Sequence, residues 1–176
     1  ALPGGIGWYR KTFTLPETDR DKVIYVDFDG VYRNSEVWIN GHSLGFRPNG
    51  YVSFRYDLTP YLRYGSQPNV IAVKADNSEQ PNSRWYSGAG IYRPVTLWTA
   101  PARHILPDGV QVRTLSIDPA EVEVTVQTTA SGAVAVAILD DEQTVATAQA
   151  ESNGKAVLRV QIPNAKLWSP DSPALY

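Results

Sequence analysis

The feature that most constrains the fold is a long succession of short segments whose side chains alternate with a period of two. Within Trp8–Leu15, one face is mostly apolar, with Tyr9, Lys11, Phe13 and Leu15, and the other carries Trp8, Arg10, Thr12 and Thr14. Alternation of this kind predicts a half-buried β-strand. Similar runs, rich in β-branched and aromatic residues, recur to the end of the chain between turn signals. The sequence therefore predicts an all-β protein.

The dipeptide Asn40-Gly41 is the strongest turn signal in the chain. It follows Val37-Trp38-Ile39 and precedes another strand-like run. Both central residues of a type I′ turn need positive φ, which asparagine and glycine tolerate. We therefore predict a β-hairpin at this position.

A change of composition divides the chain into two predicted domains. Four of the five tryptophans and nine of the ten tyrosines precede the stretch Pro101–Gly109, which we interpret as a linker. Small and β-branched residues dominate after it, in five predicted strands separated by turn signals, a pattern typical of an immunoglobulin-like sandwich. We predict domains at residues 1–102 and 103–176. Because such a sandwich needs about seven strands, we expect the second domain to be truncated at its C-terminus.

Charge and composition exclude several classes of partner. The formal charge is −2 and the chain contains no run of lysine and arginine, so nucleic acid is not an expected partner. The uncharged run Ala130–Leu139 is too short to span a bilayer, so no membrane partner is expected. The chain contains neither cysteine nor methionine, and we expect it to be a processed or excised piece of a longer protein.

Several motifs resemble, in order along the chain, the N-terminal sugar-binding domain of glycoside hydrolase family 2. They are Trp8-Tyr9-Arg10-Lys11-Thr12-Phe13, Val37-Trp38-Ile39-Asn40-Gly41-His42-Ser43-Leu44-Gly45, Asn49-Gly50-Tyr51, Asp57-Leu58-Thr59-Pro60-Tyr61-Leu62 and Gly88-Ala89-Gly90-Ile91-Tyr92-Arg93-Pro94-Val95. Two further motifs, Lys166-Leu167-Trp168-Ser169-Pro170 and Leu175-Tyr176, are similar to the end of that family's immunoglobulin-like domain.

The resemblance implies a galactose-binding-like jelly-roll β-sandwich followed by an immunoglobulin-like β-sandwich. The family is a retaining one, so hydrolysis needs two carboxylates, which its (β/α)₈ barrel supplies. None of the seven glutamates follows an asparagine, as the family's acid/base residue does. We therefore expect no catalytic residue and no hydrolysis by the chain alone. The implied role is to support and partly line the terminal-sugar pocket of a β-galactosidase-like exo-glycosidase.

The resemblance places the pocket loop before the Gly-Ile-Tyr-Arg motif. The candidate substrate-binding residues are Arg84, Asn82, Ser83 and Trp85, with Arg84 first because its planar guanidinium can bind two vicinal hydroxyls. In the alternative interpretation, Trp85 is a core aromatic and Arg84 pairs with a surface carboxylate. Gly88 and Gly90 are interpreted as positions that need positive φ or close backbone approach.

The expected partners are a terminal β-galactoside or related sugar and the parent's barrel. The sequence leaves open whether the longer parent protein is a homo-oligomer. A periplasmic or secreted location is favoured for that parent. No cofactor is expected. A structural Ca²⁺ or Na⁺ ion stays open because Asp27 and Asp29 lie two apart on a predicted strand. The functional alternatives are a free-standing carbohydrate-binding module, a β-glucuronidase- or β-mannosidase-type member of the family, and a purely structural sandwich pair.

Overall fold

The computed structural model describes residues 4–79 and 87–176, which divide into two compact units. Unit 1 comprises Ala1–Pro101 and unit 2 comprises Ala102–Tyr176. Each unit is built from antiparallel strands, and the predicted all-β class is confirmed. Among the described residues, no helix has both the length and the apolar character needed to cross a membrane.

The described part of unit 1 forms nine strands and two short 3₁₀ turns. The strands are β1 (Ile6–Phe13), β2 (Lys22–Phe28), β3 (Val31–Tyr32), β4 (Ser35–Ile39), β5 (His42–Arg47), β6 (Phe54–Asp57), β7 (Asn69–Asp76), β8 (Gly90–Ile91) and β9 (Val95–Pro101). The 3₁₀ turns cover Glu17–Asp19 and Thr59–Tyr61.

Two sheets of unit 1 enclose its main hydrophobic core, and Leu15, Ile24 and Tyr64 form a smaller buried cluster. The larger sheet has the order β1-β7-β4-β5 and the smaller has the order β6-β2-β9, while β3 and β8 form a separate pair. Alternate residues point inward, so Val26 and Phe28 of β2 meet Val37 and Ile39 of β4 in the core. All four side chains are at most 2% exposed. This sandwich agrees with the predicted jelly roll.

The predicted Asn40-Gly41 hairpin is confirmed. Asn40 has φ 50° and Gly41 has φ 88°, and Ile39 pairs with His42 across the turn. The turn residues thus occupy the left-handed region that a type I′ turn requires.

A buried amide network fixes this hairpin to the rest of unit 1. The side chain of Asn69 is fully buried; its oxygen accepts hydrogen bonds from the Arg63 backbone N–H and the Asn40 amide, each at 2.8 Å. Its own amide donates to the Arg63 carbonyl at 2.7 Å. Asn40 in turn accepts a hydrogen bond from the Val70 N–H at 2.9 Å. The two asparagines therefore satisfy backbone groups that the strand ladders leave unpaired.

Unit 2 contains five strands in two sheets. They are β10 (Ile105–Ile117), β11 (Ala120–Thr128), β12 (Gly132–Asp140), β13 (Gln143–Ser152) and β14 (Lys155–Gln161). Strands β10, β11 and β14 form one sheet and β12 and β13 form the other. Val124, Val126 and Leu158 of the first sheet pack against Val134 of the second, which gives unit 2 its own core.

The predicted linker was wrong over most of its length. Strand β9 extends to Pro101 and strand β10 begins at Ile105, so only three residues separate the units' strands. The register of β10 against β11 shifts between Ile105 and Val110. This irregularity accommodates Pro107, which has no N–H to donate to a ladder.

Substituting Asn69 tests the amide network. We expect Asn69→Ala to lower the free energy of unfolding of unit 1 by about 2 kcal/mol, because buried backbone groups of Arg63 lose their partners. Gln67→Ala, which removes an exposed amide from the same loop, should change it by less than about 0.5 kcal/mol. Urea unfolding of both variants measures the difference, and equal effects would show that the network contributes nothing specific.

Candidate functional site

The predicted pocket loop connects β7 to the short strand β8. The structure describes its first end, Asn77–Glu79, and its second end from Ser87 onward. The four predicted substrate-binding residues lie outside the described residues, so their roles stay predictions: Asn82, Ser83, Arg84 and Trp85. The described ends show how unit 1 holds this loop.

The first end of the loop is fixed by backbone hydrogen bonds. The N–H of Asp76 donates to the carbonyl of Arg33 at 2.9 Å, and the N–H of Asn77 donates to the carbonyl of Gly5 at 2.9 Å. Asn77 is only 4% exposed. The chain therefore leaves β7 from a buried, hydrogen-bonded position.

A side-chain turn follows at once. One carboxylate oxygen of Asp76 accepts hydrogen bonds from the hydroxyl of Ser78 at 2.5 Å and from its N–H at 3.0 Å. These two bonds, the hydroxyl first, lower the pKa of Asp76, and the positive charges of Lys74 and Arg33 act in the same direction. Because the pKa is lower in the folded state, the turn is stabilised at neutral pH, and this contribution disappears as the pH falls through the folded pKa.

Arg33 contacts the last described residue of this end. Its Nη2 lies 3.2 Å from a carboxylate oxygen of Glu79 and 3.3 Å from the Glu79 carbonyl. The Glu79 side chain is 75% exposed, so the ion pair alone contributes little stability. The buried Nε of Arg33 has no hydrogen-bond partner within residues 4–79 and 87–176. Arg33 therefore keeps one buried donor without a partner among the described residues.

The second end of the loop is fixed where Gly90 meets Tyr9. Gly90 has φ 87° and pairs with Tyr32 of β3. A Cβ at Gly90 would collide with the Tyr9 hydroxyl, which accepts a hydrogen bond from the Ile91 N–H at 3.3 Å. Gly90 thus combines positive φ with close approach, as predicted. Gly88 has neither feature: its φ is not positive, and no atom of residues 4–79 and 87–176 beyond its chain neighbours lies within 4 Å of its built Cβ.

A small depression of about 220 Å³ lies beside this second end. Its walls consist mostly of backbone and very small side chains, with the Tyr9 ring as the largest group. Backbone N–H and carbonyl groups are hydrogen-bonding partners for a polar ligand such as a sugar hydroxyl. The lining residues are Gly4, Gly5, Ile6, Gly7, Tyr9, Ala75, Ala89 and Gly90.

Two further glycines receive tyrosine rings in neighbouring loops. A Cβ at Gly30 would lie 2.6 Å from Cζ of Tyr92, and a Cβ at Gly50 would collide with the ring of Tyr32. The hydroxyl of Tyr92 donates to the Gly50 carbonyl at 2.8 Å. These contacts join the loops after β2, β5 and β8 into one cluster.

The sequence reasoning did not identify Tyr9, Tyr32 or Arg33 as part of this region. The abundance of tyrosine and glycine in the first domain was a visible signal. Which tyrosine meets which glycine depends on strand order, since Tyr9 and Gly90 are far apart in sequence but in contact in the fold.

The candidate cation site at Asp27 has other partners. The carboxylate of Asp27 forms an ion pair with Arg55, whose Nη2 lies 2.5 Å from Oδ2, and accepts a hydrogen bond from the indole N–H of Trp98 at 3.1 Å. Asp29 lies beyond the end of β2. Within the described ranges, no three histidine or acidic side chains lie close enough to hold a metal ion.

Comparison with known proteins identifies the family. Residues 3–101 match "Glycosyl hydrolases family 2, sugar binding domain", and residues 106–176 match "Glycosyl hydrolases family 2". The chain therefore belongs to glycoside hydrolase family 2, as its motifs predicted, and corresponds to the N-terminal portion of such an enzyme.

The relatives are named for two different activities, some as β-galactosidases and others as β-glucuronidases. The chain is 44% identical to "Beta-galactosidase BoGH2A" of Bacteroides ovatus over all of its own length and 22% of the relative's. It is 42% identical to a "Putative beta-glucuronidase" of Formosa agariphila, over 98% of this chain and 17% of that protein. The crystal structure of a β-glycosidase from Bacteroides vulgatus matches with a TM-score of 0.82 and 41% identity, over 97% of this chain and 23% of that one. The chain thus spans about a fifth of the length of the relatives it matches along its whole length.

The Gly90 contact supplies a test of the loop's anchoring. We expect Gly90→Ala to lower the free energy of unfolding by about 2 kcal/mol, because alanine is strained at positive φ and its methyl group meets the Tyr9 hydroxyl. Gly88→Ala should change it by less than about 0.5 kcal/mol. In the double variant Gly90→Ala/Tyr9→Phe the hydroxyl is absent. We therefore expect the free energy of unfolding to recover by the share due to the clash, while the share due to backbone strain stays lost. Similar unfolding curves for Gly88→Ala and Gly90→Ala would contradict this account.

Proposed function

We propose that the chain supplies one side of the terminal-sugar pocket in an exo-acting family 2 glycosidase. The contributing segment is the loop after β7, with Arg84 as the main sugar-binding residue and Asn82, Ser83 and Trp85 beside it. The observation that supports this proposal is that both described ends of the loop are fixed to the sandwich, at Asn77 and at Gly90. The catalytic carboxylates would come from the barrel of the same enzyme.

Fixed ends matter because a loop that contributes to a pocket must be ordered in the binding geometry. Each side chain that becomes ordered only on binding costs about 0.5–1.5 kcal/mol of affinity. The buried Asn77 and the tightly packed Gly90 hold the two described ends at defined positions. A rigid scaffold that carries a polar loop is the usual arrangement for a binding site.

The residue types of the loop suit a sugar. A guanidinium presents five donors in a planar fork and can bind two neighbouring oxygen atoms at once. The Asn82 amide and the Ser83 hydroxyl can both donate and accept hydrogen bonds, as sugar hydroxyls also do. An indole offers an apolar face to the C–H groups of a pyranose ring. Together they could fix the terminal sugar without taking part in bond cleavage.

We favour a β-galactoside as the substrate, with a β-glucuronide as the second candidate. Identity does not separate the two, because the β-galactosidase is 44% identical over the whole chain and the "Putative beta-glucuronidase" is 42% identical over 98% of it. The preference rests on the resemblance of the loop Asn82–Tyr86 to that of β-galactosidases. A guanidinium binds a carboxylate as readily as a pair of hydroxyls, so Arg84 is compatible with both. The ratio of kcat/KM for nitrophenyl β-galactoside and nitrophenyl β-glucuronide decides between them.

Substituting Arg84 in the enzyme that contains this chain tests the proposal. We expect Arg84→Ala to reduce kcat/KM on the preferred substrate by a factor equivalent to about 2 kcal/mol or more, because the lost contacts act in the transition state. We expect the kcat/KM of Arg84→Lys to lie between those of the unchanged enzyme and of Arg84→Ala, since lysine keeps the positive charge but not the planar fork of donors. The control is Arg20→Ala, which removes an exposed arginine paired with Glu17. If kcat/KM is unchanged in Arg84→Ala, Arg84 is a surface residue and the proposal fails.

A further inference from the structure

The outward face of the larger sheet of unit 1 carries two stacked tryptophans, of which Trp8 is exposed and Trp38 is half-buried. Trp8 is 64% exposed, and its ring stacks on Trp38 with a centroid distance of 5.4 Å and an interplanar angle of 28°. An exposed aromatic surface rimmed by polar groups is a candidate ligand-binding surface. The stack therefore calls for a physical explanation.

The strand register shows why these rings meet. Ala72 of the central strand β7 lies opposite Arg10 of β1 on one side and opposite Trp38 of β4 on the other. Trp8 itself lies opposite Lys74, so its indole reaches Trp38 diagonally across β7, where the small side chain of Ala72 leaves room for the two rings. The stack holds Trp8 in a defined orientation while much of its surface stays open to solvent.

Two arginines lie beside the tryptophans in a shallow depression of about 420 Å³. The guanidinium groups of Arg10 and Arg63 form no hydrogen bond or ion pair with any residue of the described ranges. No acidic residue lines the depression, so the two forks of N–H donors remain available. The lining residues are Trp8, Arg10, Trp38, Asn40, Gly41, Arg63, Val70 and Ala72.

We propose that this depression is a saccharide-binding surface. A pyranose ring would place its C–H face on the open face of the Trp8 indole. Its hydroxyl or carboxylate oxygens would accept hydrogen bonds from Arg10 and Arg63, whose planar forks suit adjacent oxygen atoms. An aromatic face with a few convergent polar groups is the composition expected of a small-ligand site.

This proposal goes beyond the pocket loop and does not depend on it. The pocket loop leaves β7 after Asp76, whereas the depression is built around Val70 and Ala72, toward the start of the same strand. A saccharide chain bound here would be held by unit 1 itself. The surface would raise the local concentration of a polymeric substrate near the enzyme.

Other occupants suit the depression less well. A stable protein interface buries about 1,200–2,000 Å² in total and concentrates apolar residues at its centre. This site has only eight lining residues, and charged groups stand among its aromatic ones. Nucleic acid is disfavoured by the formal charge of −2. The mixture of indole faces and open guanidinium groups fits a saccharide best.

Affinity electrophoresis of the 176-residue chain tests the proposal. The chain is run through native gels that contain a soluble neutral galactan or polygalacturonate, with a saccharide-free gel as the reference. We expect at least one of these polymers to retard the chain and Trp8→Ala to weaken that binding about tenfold. Trp168→Ala removes a tryptophan that is 60% exposed in unit 2 and is the matched control. It should leave the retardation unchanged.

Further variants keep the outcome unambiguous. Trp8→Thr retains a strong strand former at the same position and guards against local unfolding in Trp8→Ala. Arg10→Gln should also weaken retardation, while Arg20→Ala, which removes an exposed arginine paired with Glu17 and outside the depression, should not. The proposal is overturned if neither polymer retards the chain, or if Trp8→Ala and Trp168→Ala behave alike. It is also overturned if Trp8 instead mediates self-association in the absence of saccharide.

Discussion

Close packing of tyrosine rings against glycine backbone is the contact on which the loop end of unit 1 depends. Tyr92 covers Gly30, Tyr32 covers Gly50, and the Tyr9 hydroxyl meets Gly90. Each contact needs the space that a Cβ would occupy, and Gly90 also needs a positive φ that strains other residues. Through them the loops after β2, β5 and β8 are held at defined positions on the sandwich. The pocket loop begins and ends on this platform.

Polar interactions fix the course of the chain at the two ends of β7. The buried amide of Asn69 connects the Asn40 hairpin to the backbone of Arg63. The hairpin and the loop that precedes β7 are therefore held together by hydrogen bonds. At the other end of β7, the carboxylate of Asp76 closes a turn onto Ser78. Strand β7 therefore positions both the start of the pocket loop and the centre of the depression beside Trp8 and Trp38.

The sequence was most informative where a local rule determines the structure. Alternating side chains identified the strands, and Asn40-Gly41 identified its hairpin, because both depend on neighbouring residues alone. The strand that starts at Ile105 was interpreted as a linker, since Pro107 hid a bulge that only the pairing with β11 reveals. The partners of Gly90 and of Trp8 could not be derived either, because strand order across the whole sandwich decides them. Arg84 and its neighbours came from family resemblance, and their roles stay predictions.

The central claim is that unit 1 forms part of a composite pocket and does not bind the terminal sugar alone. Calorimetric titration of galactose into the isolated chain and into the enzyme that contains it, with its catalytic nucleophile inactivated, tests this most directly. The account predicts that the isolated chain binds galactose at least about 100-fold more weakly, a difference of roughly 2.8 kcal/mol. Equal affinity for the isolated chain and the enzyme would contradict it and would show that unit 1 is a self-sufficient carbohydrate-binding module.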